Sequence, residues 1–300
     1  MSLYHRPVLL TESIEGLVHR PDGIYADVTF GSGQSSRSIL ERLSPEGRLF
    51  SFDQDKDAQA NAIDDARWTF IAANFRYIKN FLQFHKVEKV DGILADLGVS
   101  SHQFDVPERG FSTRFDGPLD MRMDQQKSLT AAQVLATYSE AELADVFFRY
   151  GEVFNAKKLA QVIVKERENC TFTHTAQLRE LVAAFTPKQK ENRYLAQVYQ
   201  ALRIEVNAEM EALQALLQQS VELLNPGGRL VVISYHSLED RMVKQFMRSG
   251  NLEGKEEKDF YGNPLSPFRL ITRKAIVPDD NELEENNRSR SARLRICEKI

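Results

Sequence analysis

Over the first hundred positions, short apolar runs alternate with stretches of helical periodicity, the order that predicts a parallel sheet covered on both faces. Ile24 to Phe30 (IYADVTF) reads as a first strand, running into a Gly-rich turn and then a helix through Ile39 and Leu40. Arg48 to Phe52 (RLFSF) reads as a second strand that ends at Asp53, with a short helix after it. Trp68 to Ala72 reads as a third, followed by Phe75, Ile78, Phe81, Leu82 and Phe84 on one helical face. Val90 to Leu97 (VDGILADL) is apolar without alternation, which suits a strand buried on both sides.

From about Phe104 to Asn207 the strand signal disappears and helical spacing takes over, so an inserted helical lobe is expected at 105–207 between the two parts, 1–104 and 208–300, of one α/β domain. Ser139 and Glu142 have the spacing of a capping box ahead of Leu143, Val146, Phe147 and Tyr150. Ala156 to Lys165, Leu178 to Phe185 and Leu195 to Ile204 read as further amphipathic helices, with Pro187 and the charged Lys188 to Asn192 as a loop. The α/β pattern then resumes. Met210, Leu213, Leu217, Val221 and Leu224 form a helical stripe that stops at Asn225-Pro226-Gly227-Gly228, and Arg229 to Tyr235 (RLVVISY) is a fifth strand. After a helix near Asp240 to Met247, the segments Phe268 to Val277 and Ala292 to Glu298 read as strands closing the sheet at an antiparallel end.

With 300 residues, 42% of them hydrophobic, the chain has material for one full core and a second lobe. No apolar run approaches the roughly 20 residues of a membrane span, and Met1 to Pro7 lacks the layout of a signal peptide, so no membrane partner and a cytoplasmic address are expected. Cys170 and Cys297 stand far apart without Cys or His neighbours, which suggests neither a disulfide framework nor a metal site. The net charge of −4 does not exclude a nucleic-acid partner, because phosphate binding depends on local basic surface.

Chemistry gathers at the predicted strand ends. In Asp27-Val28-Thr29-Phe30-Gly31-Ser32-Gly33-Gln34-Ser35-Ser36, Gly31 and Gly33 permit close backbone approach by a ligand, at a helix start that offers free N–H groups. Asp53, twenty positions after Gly33, ends the second strand where a carboxylate can accept both hydroxyl protons of an adenosine ribose. Position 36 is Ser, so the full G-x-G-x-x-G spacing of a dinucleotide site is missing. Asp96 ends the fourth strand and is placed for either a cofactor or an acceptor. His236 has no G-x-S-x-G nucleophile elbow to serve, so it is read as structural or acceptor-orienting.

Beyond these single features, separated segments together resemble the bacterial 16S ribosomal RNA cytosine-N4 methyltransferases of the MraW type. They are Tyr4 to Leu10 (YHRPVLL), Asp27 to Ser36, Asp96 to Ser101 (DLGVSS), Glu108 to Ser112 (ERGFS), Asp116 to Met123 (DGPLDMRM), Gln200 to Asn207 (QALRIEVN), Ser234 to Arg241 (SYHSLEDR) and Arg288 to Ile296. The resemblance implies a class I S-adenosylmethionine-dependent methyltransferase fold, a Rossmann-like α/β sheet with an antiparallel end and an inserted helical domain for substrate recognition. It implies a cofactor site of Gly33, Gln34, Ser35, Asp53, Phe75, Asp96 and Gln103, and a decoding-region cytosine of 16S ribosomal RNA in the small subunit as target. Where the family usually has Gly-Gly-His-Ser, this chain has Gly33-Gln34-Ser35-Ser36, a departure that touches the cofactor loop.

Cytosine N4 is a poor nucleophile, its lone pair being delocalised into the ring, so an acceptor for its N–H protons helps; Asp96 or a backbone carbonyl near Gly98 is the candidate. Methylation at C5 instead requires a Cys nucleophile, and neither Cys170 nor Cys297 lies near the strand ends. For RNA, the candidate contacts are Arg109, Arg114, Arg122, Arg241 and the cluster Arg288, Arg290, Arg293 and Arg295, with Phe111 and Phe115 for stacking. Asp116, Asp120 and Asp124 interleave with the first group, so a salt-bridged lid is an equal reading of that loop. A small-molecule methyltransferase and a catalytically inactive ribosome-assembly or nucleotide-binding module stand as alternatives, and the oligomeric state is open between a monomer and a homodimer.

Overall fold

The computed structural model describes residues 7–186, 190–262 and 265–300; Tyr4, His5 and Arg6 of the first motif, and Pro187 to Gln189, lie outside them. The chain divides into two compact units, one of Met1–Gly98 with Met210–Ile300 and one of Val99–Glu209. In chain order the first unit begins with α1 (Leu10–Leu17), β1 (Ile24–Asp27), α2 (Gln34–Leu40), β2 (Arg48–Phe52), β3 (Trp68–Ile71), α3 (Ile78–Phe84) and β4 (Val90–Asp96). The second unit carries α4 (Ser101–Asp105), α5 (Ala131–Thr137), α6 (Glu140–Gly151), α7 (Ala156–Glu166), α8 (Thr175–Ala183) and α9 (Glu191–Asn207). The chain then returns through α10 (Glu209–Leu223) to β5 (Leu224–Ser234), α11 (Ser237–Ser249), β6 (Phe268–Leu270), α12 (Asp280–Glu285) and β7 (Arg293–Lys299).

The first unit is a seven-stranded sheet in the order β3-β2-β1-β4-β5-β7-β6. β1 to β5 pair in parallel, and β7 runs antiparallel to both β5 and β6. Because each parallel crossover returns the chain to the same side, β1, β2 and β4 all end on one edge, the side where open α/β sheets hold ligands. One face of the sheet packs Ile14 and Leu17 of α1 and Ile39 and Leu40 of α2 over Tyr25, Leu49, Leu94, Val231 and Leu294.

Departures from the sequence pattern have local causes. The predicted strand Phe268 to Val277 keeps only its first three residues in β6. At Thr272 the side chain replaces the backbone, Oγ1 accepting the Ile296 N–H at 2.9 Å, and the ladder resumes only at Ile276, whose N–H donates to Leu294 O at 2.9 Å. Asn225 to Gly228 do not separate helix from strand but bulge within β5, between the pairs Val90 with Leu224 and Gly92 with Arg229. Asn225 Nδ2 there donates to Asp91 Oδ1 at 3.1 Å. On α3, Ile78 and Leu82 are buried while Phe84 faces solvent.

In the helical unit the capping box forms as spaced, Ser139 Oγ accepting the Glu142 N–H and Glu142 Oε2 accepting the Ser139 N–H at 2.7 Å. Asn207, 1% exposed, takes the Met123 N–H at 2.7 Å and donates to Met121 O at 2.8 Å, fixing the loop before α5 to the end of α9.

Candidate active site

Register dictates which side chains meet at the carboxyl edge. Asp27 of β1 pairs with Ser51 of β2 and Leu94 of β4, so Asp53 and Asp96, each two residues further on, flank the continuation of β1. That continuation stays in the sheet to Phe30, with Val28 N–H donating to Leu94 O and Phe30 N–H to Phe52 O. Gly31 and Gly33 then turn the chain with φ of +51° and +76°, a region that costs a side chain about 1–2 kcal/mol. At Gly33 a Cβ would also stand 2.8 Å from Cζ of Phe30.

Asp53 braces this turn. Its Oδ2 accepts the Gly31 N–H at 2.8 Å and its Oδ1 the Asp55 N–H at 2.8 Å, while Asn61 Nδ2 donates to Gly31 O at 2.9 Å. A carboxylate has about four acceptor positions, so two remain on Asp53. Below it, the fully buried Asp27 accepts from Ser36 Oγ at 2.6 Å and from the Thr29 N–H at 3.2 Å. Burial pushes both carboxyls up to about 6, against the pull of these hydrogen bonds.

Asp96 is positioned from two sides. Its N–H donates to Thr29 Oγ1 at 2.7 Å, and its Oδ1 accepts the phenol of Tyr235 at 2.8 Å. Burial raises the Asp96 carboxyl to about 7; the Tyr235 hydrogen bond lowers it, and the charges of Asp27 and Glu239 add to the rise. Such a group changes protonation near neutrality, the range wanted of a general base. The expected site residues do not include Tyr235, which sits two residues beyond Ile233, the register partner of Asp96, a pairing that only the folded sheet reveals.

The remaining residues expected at the cofactor site lie as follows. Gln34 and Ser35 open α2 with helical backbone, so replacing the Gly and His usual at these positions demands no special conformation; the left-handed backbone falls on Gly31 and Gly33. Phe75 begins a 3-10 turn after β3, capped by Asn74, whose Nδ2 donates to Gln54 Oε1 at 2.8 Å beside Asp53. Gln103 belongs to the helical unit, where it is 5% exposed and its Oε1 accepts the Ser100 N–H at 3.1 Å in the capping box of α4. Gly33, Gln34, Ser35, Asp53, Phe75 and Asp96 thus share one unit.

Of the candidate RNA contacts, several turn inward. Arg109 is buried and donates to Arg122 O at 2.9 Å, and Arg122 pairs with Asp120 at 2.6 Å, so this part of the loop takes the salt-bridged form. Phe111 is 4% exposed, whereas Phe115 is 51% exposed beside the exposed Arg114. Arg295 grips Asp240 through two hydrogen bonds of 2.7 and 3.1 Å, leaving Arg288, Arg290 and Arg293 as the exposed members of its cluster.

The comparison with known proteins bears on this geometry. The model of the MraW methylase family matches residues 2–300. A ribosomal RNA small subunit methyltransferase H from Flavobacterium johnsoniae is 58% identical over 297 residues, covering 99% of this chain and 98% of the relative. Its namesake from Bacteroides thetaiotaomicron is 56% identical over 296 residues, covering 99% and 97%, and that from Parabacteroides distasonis 57% over 300 residues, covering 100% and 98%. A match running through the Gly turn, both strand-end aspartates and the helical unit leaves one conclusion: the chain belongs to the MraW methylase family.

Proposed function

We propose that this protein transfers a methyl group from S-adenosylmethionine to the exocyclic N4 of a cytosine in 16S ribosomal RNA, with Asp96 as the catalytic residue. The observation that carries the reading is the common edge at which β1, β2 and β4 deliver the Gly31 to Gly33 turn, Asp53 and Asp96.

The residues present fit the cofactor. Asp53 keeps two acceptor positions for the ribose hydroxyls, and Gly31 and Gly33, without side chains, let backbone approach the ligand. Gln34, Ser35 and Phe75 complete the cofactor side within the sheet unit. When bound, the cofactor supplies a sulfonium-activated methyl carbon, whose transfer leaves the C–S electron pair on sulfur. Asp96 accepts the N4 proton in its ionised form, so turnover rises with pH through about 7.

The helical segment, compact over Val99–Glu209, is assigned the recognition of RNA, with Arg114 and Phe115 as contacts and Arg288, Arg290 and Arg293 gripping phosphates from the sheet unit. The substrate sets a cytoplasmic workplace, and no helix among the described residues is long and apolar enough to cross a membrane. Since the turn, Asp53 and Asp96 come from one chain, the reading does not require a homodimer.

Mass spectrometry of ribosomal RNA nucleosides from cells with and without the protein tests the function. Loss of an N4-methylated cytidine is expected, and an unchanged nucleoside profile would refute it.

A further inference from the structure

We propose that Tyr235 is a positioning residue for methyl transfer, its phenol engaging Oδ1 of Asp96 and fixing the carboxylate so that the acceptor amine is received at Oδ2. The inference rests on the reading of Asp96 given above.

Three contacts fix the arrangement. The phenol donates to Asp96 Oδ1 at 2.8 Å. The backbone N–H groups of Tyr235 and His236 donate to Oε2 of the buried Glu239 at 2.9 and 3.3 Å, so the first turn of α11 locks the end of β5. The ring lies along Gly98, where a Cβ would stand 3.5 Å from Tyr235 Cδ2. With its own N–H bound to Thr29, Asp96 is held at the backbone and at one oxygen.

The consequence is chemical. As the N4–methyl bond forms and the C–S bond breaks toward sulfur, N4 becomes cationic and releases a proton to Asp96 Oδ2. The carboxylate becomes a carboxylic acid, which returns the proton to water. Tyr235 keeps its own proton throughout, since burial first and the neighbouring Asp96 and Glu239 charges next raise its phenol well above 10. The groups facing Asp96 are Tyr235 from the end of β5, Asp27 from β1 and Glu239 from α11. Among them only the phenol stabilises the ionised carboxylate, so it is what keeps Asp96 ionisable near neutrality.

The test is Tyr235→Phe in the full chain, which retains the ring against Gly98. With undermethylated small subunits as substrate, the inflection of kcat against pH is expected to rise by about one unit. At pH 7 kcat falls several-fold and recovers toward the parent value at pH 9, while KM for subunits and cofactor affinity stay within about twofold. Carbon NMR of the Asp96 carboxyl, assigned by its loss in Asp96→Asn, should titrate higher by the same amount without any turnover. A rate loss equal at every pH, or an unmoved titration, overturns the proposal. If Tyr235→Phe fails to fold, 3-fluorotyrosine labelling replaces it. That label strengthens the phenol as a donor and must lower the Asp96 titration; an unmoved titration again overturns the idea. Parent enzyme unable to methylate subunits would instead overturn the function itself, so the two failures are distinguishable.

Discussion

Replacing Gly33 by Ala probes the turn on which the cofactor reading depends. Two costs add at this position. The backbone sits at φ +76°, where an L side chain costs about 1–2 kcal/mol. The new methyl would stand 2.8 and 2.9 Å from Cζ and Cε2 of Phe30. That ring cannot simply move aside: it is 2% exposed and lies against Trp68 and Phe70 with centroid separations of 5.3 Å each. Overpacking of this kind costs about 1–3 kcal/mol. Reduced freedom of the unfolded chain returns about 0.4–1 kcal/mol, leaving a net loss of about 1–4.5 kcal/mol. Trp68 is the protein's one tryptophan and part of the same ring cluster, so urea unfolding followed by its fluorescence reads this locus directly. A loss below about 0.5 kcal/mol would mean that the turn relaxes freely, and the claim that it needs glycine would be wrong.

Asp53→Asn, which keeps the shape but loses the charge that accepts hydroxyl protons, should raise the Kd for S-adenosylmethionine in calorimetry by about tenfold or more, and unchanged affinity would move the ribose elsewhere. Arg295→Ala and Asp240→Ala, combined in a double-mutant cycle, should show about 1–2 kcal/mol of coupling, because their bidentate pair ties β7 to α11. Arg290→Ala instead should leave stability alone and reduce the salt slope of subunit binding by about one; the opposite pattern would exchange the two roles. The Asp96 carboxyl is raised to about 7, so the folded state holds its proton longer than the unfolded chain and this residue's contribution to stability falls as pH climbs from about 4 to about 7. The melting temperature of Asp96→Asn relative to the parent should therefore improve between pH 5 and pH 8, and a constant difference would show that Asp96 titrates normally.

Much of the sheet could be read directly because its strands are local objects. Arg48 to Phe52 and Val90 to Asp96 are mostly apolar segments of strand length, and β2 and β4 fall on them. Helix starts were equally legible at Ser139, where the cap and its reciprocal acid lie three positions apart. The proposed site residues Asp53 and Asp96 showed themselves as acids that end the second and fourth strand segments. Segments governed by a partner strand were less legible: Phe268 to Val277 has strand-like composition, yet β6 ends at Leu270 and the Thr272 hydroxyl takes the Ile296 N–H in place of a backbone carbonyl.

What tertiary structure alone decided is who touches whom. Asp96 and Tyr235 stand 139 positions apart, and only the placement of β5 beside β4 makes them partners. The same holds for the arginines. Alternation along β7 places Arg293 and Arg295 alike, but Asp240 on α11 captures Arg295 and leaves Arg293 to solvent. Periodicity records which face a residue occupies, because that depends on its own backbone. Whether a polar group on that face finds a partner depends on elements brought alongside by folding, and no local pattern contains that information.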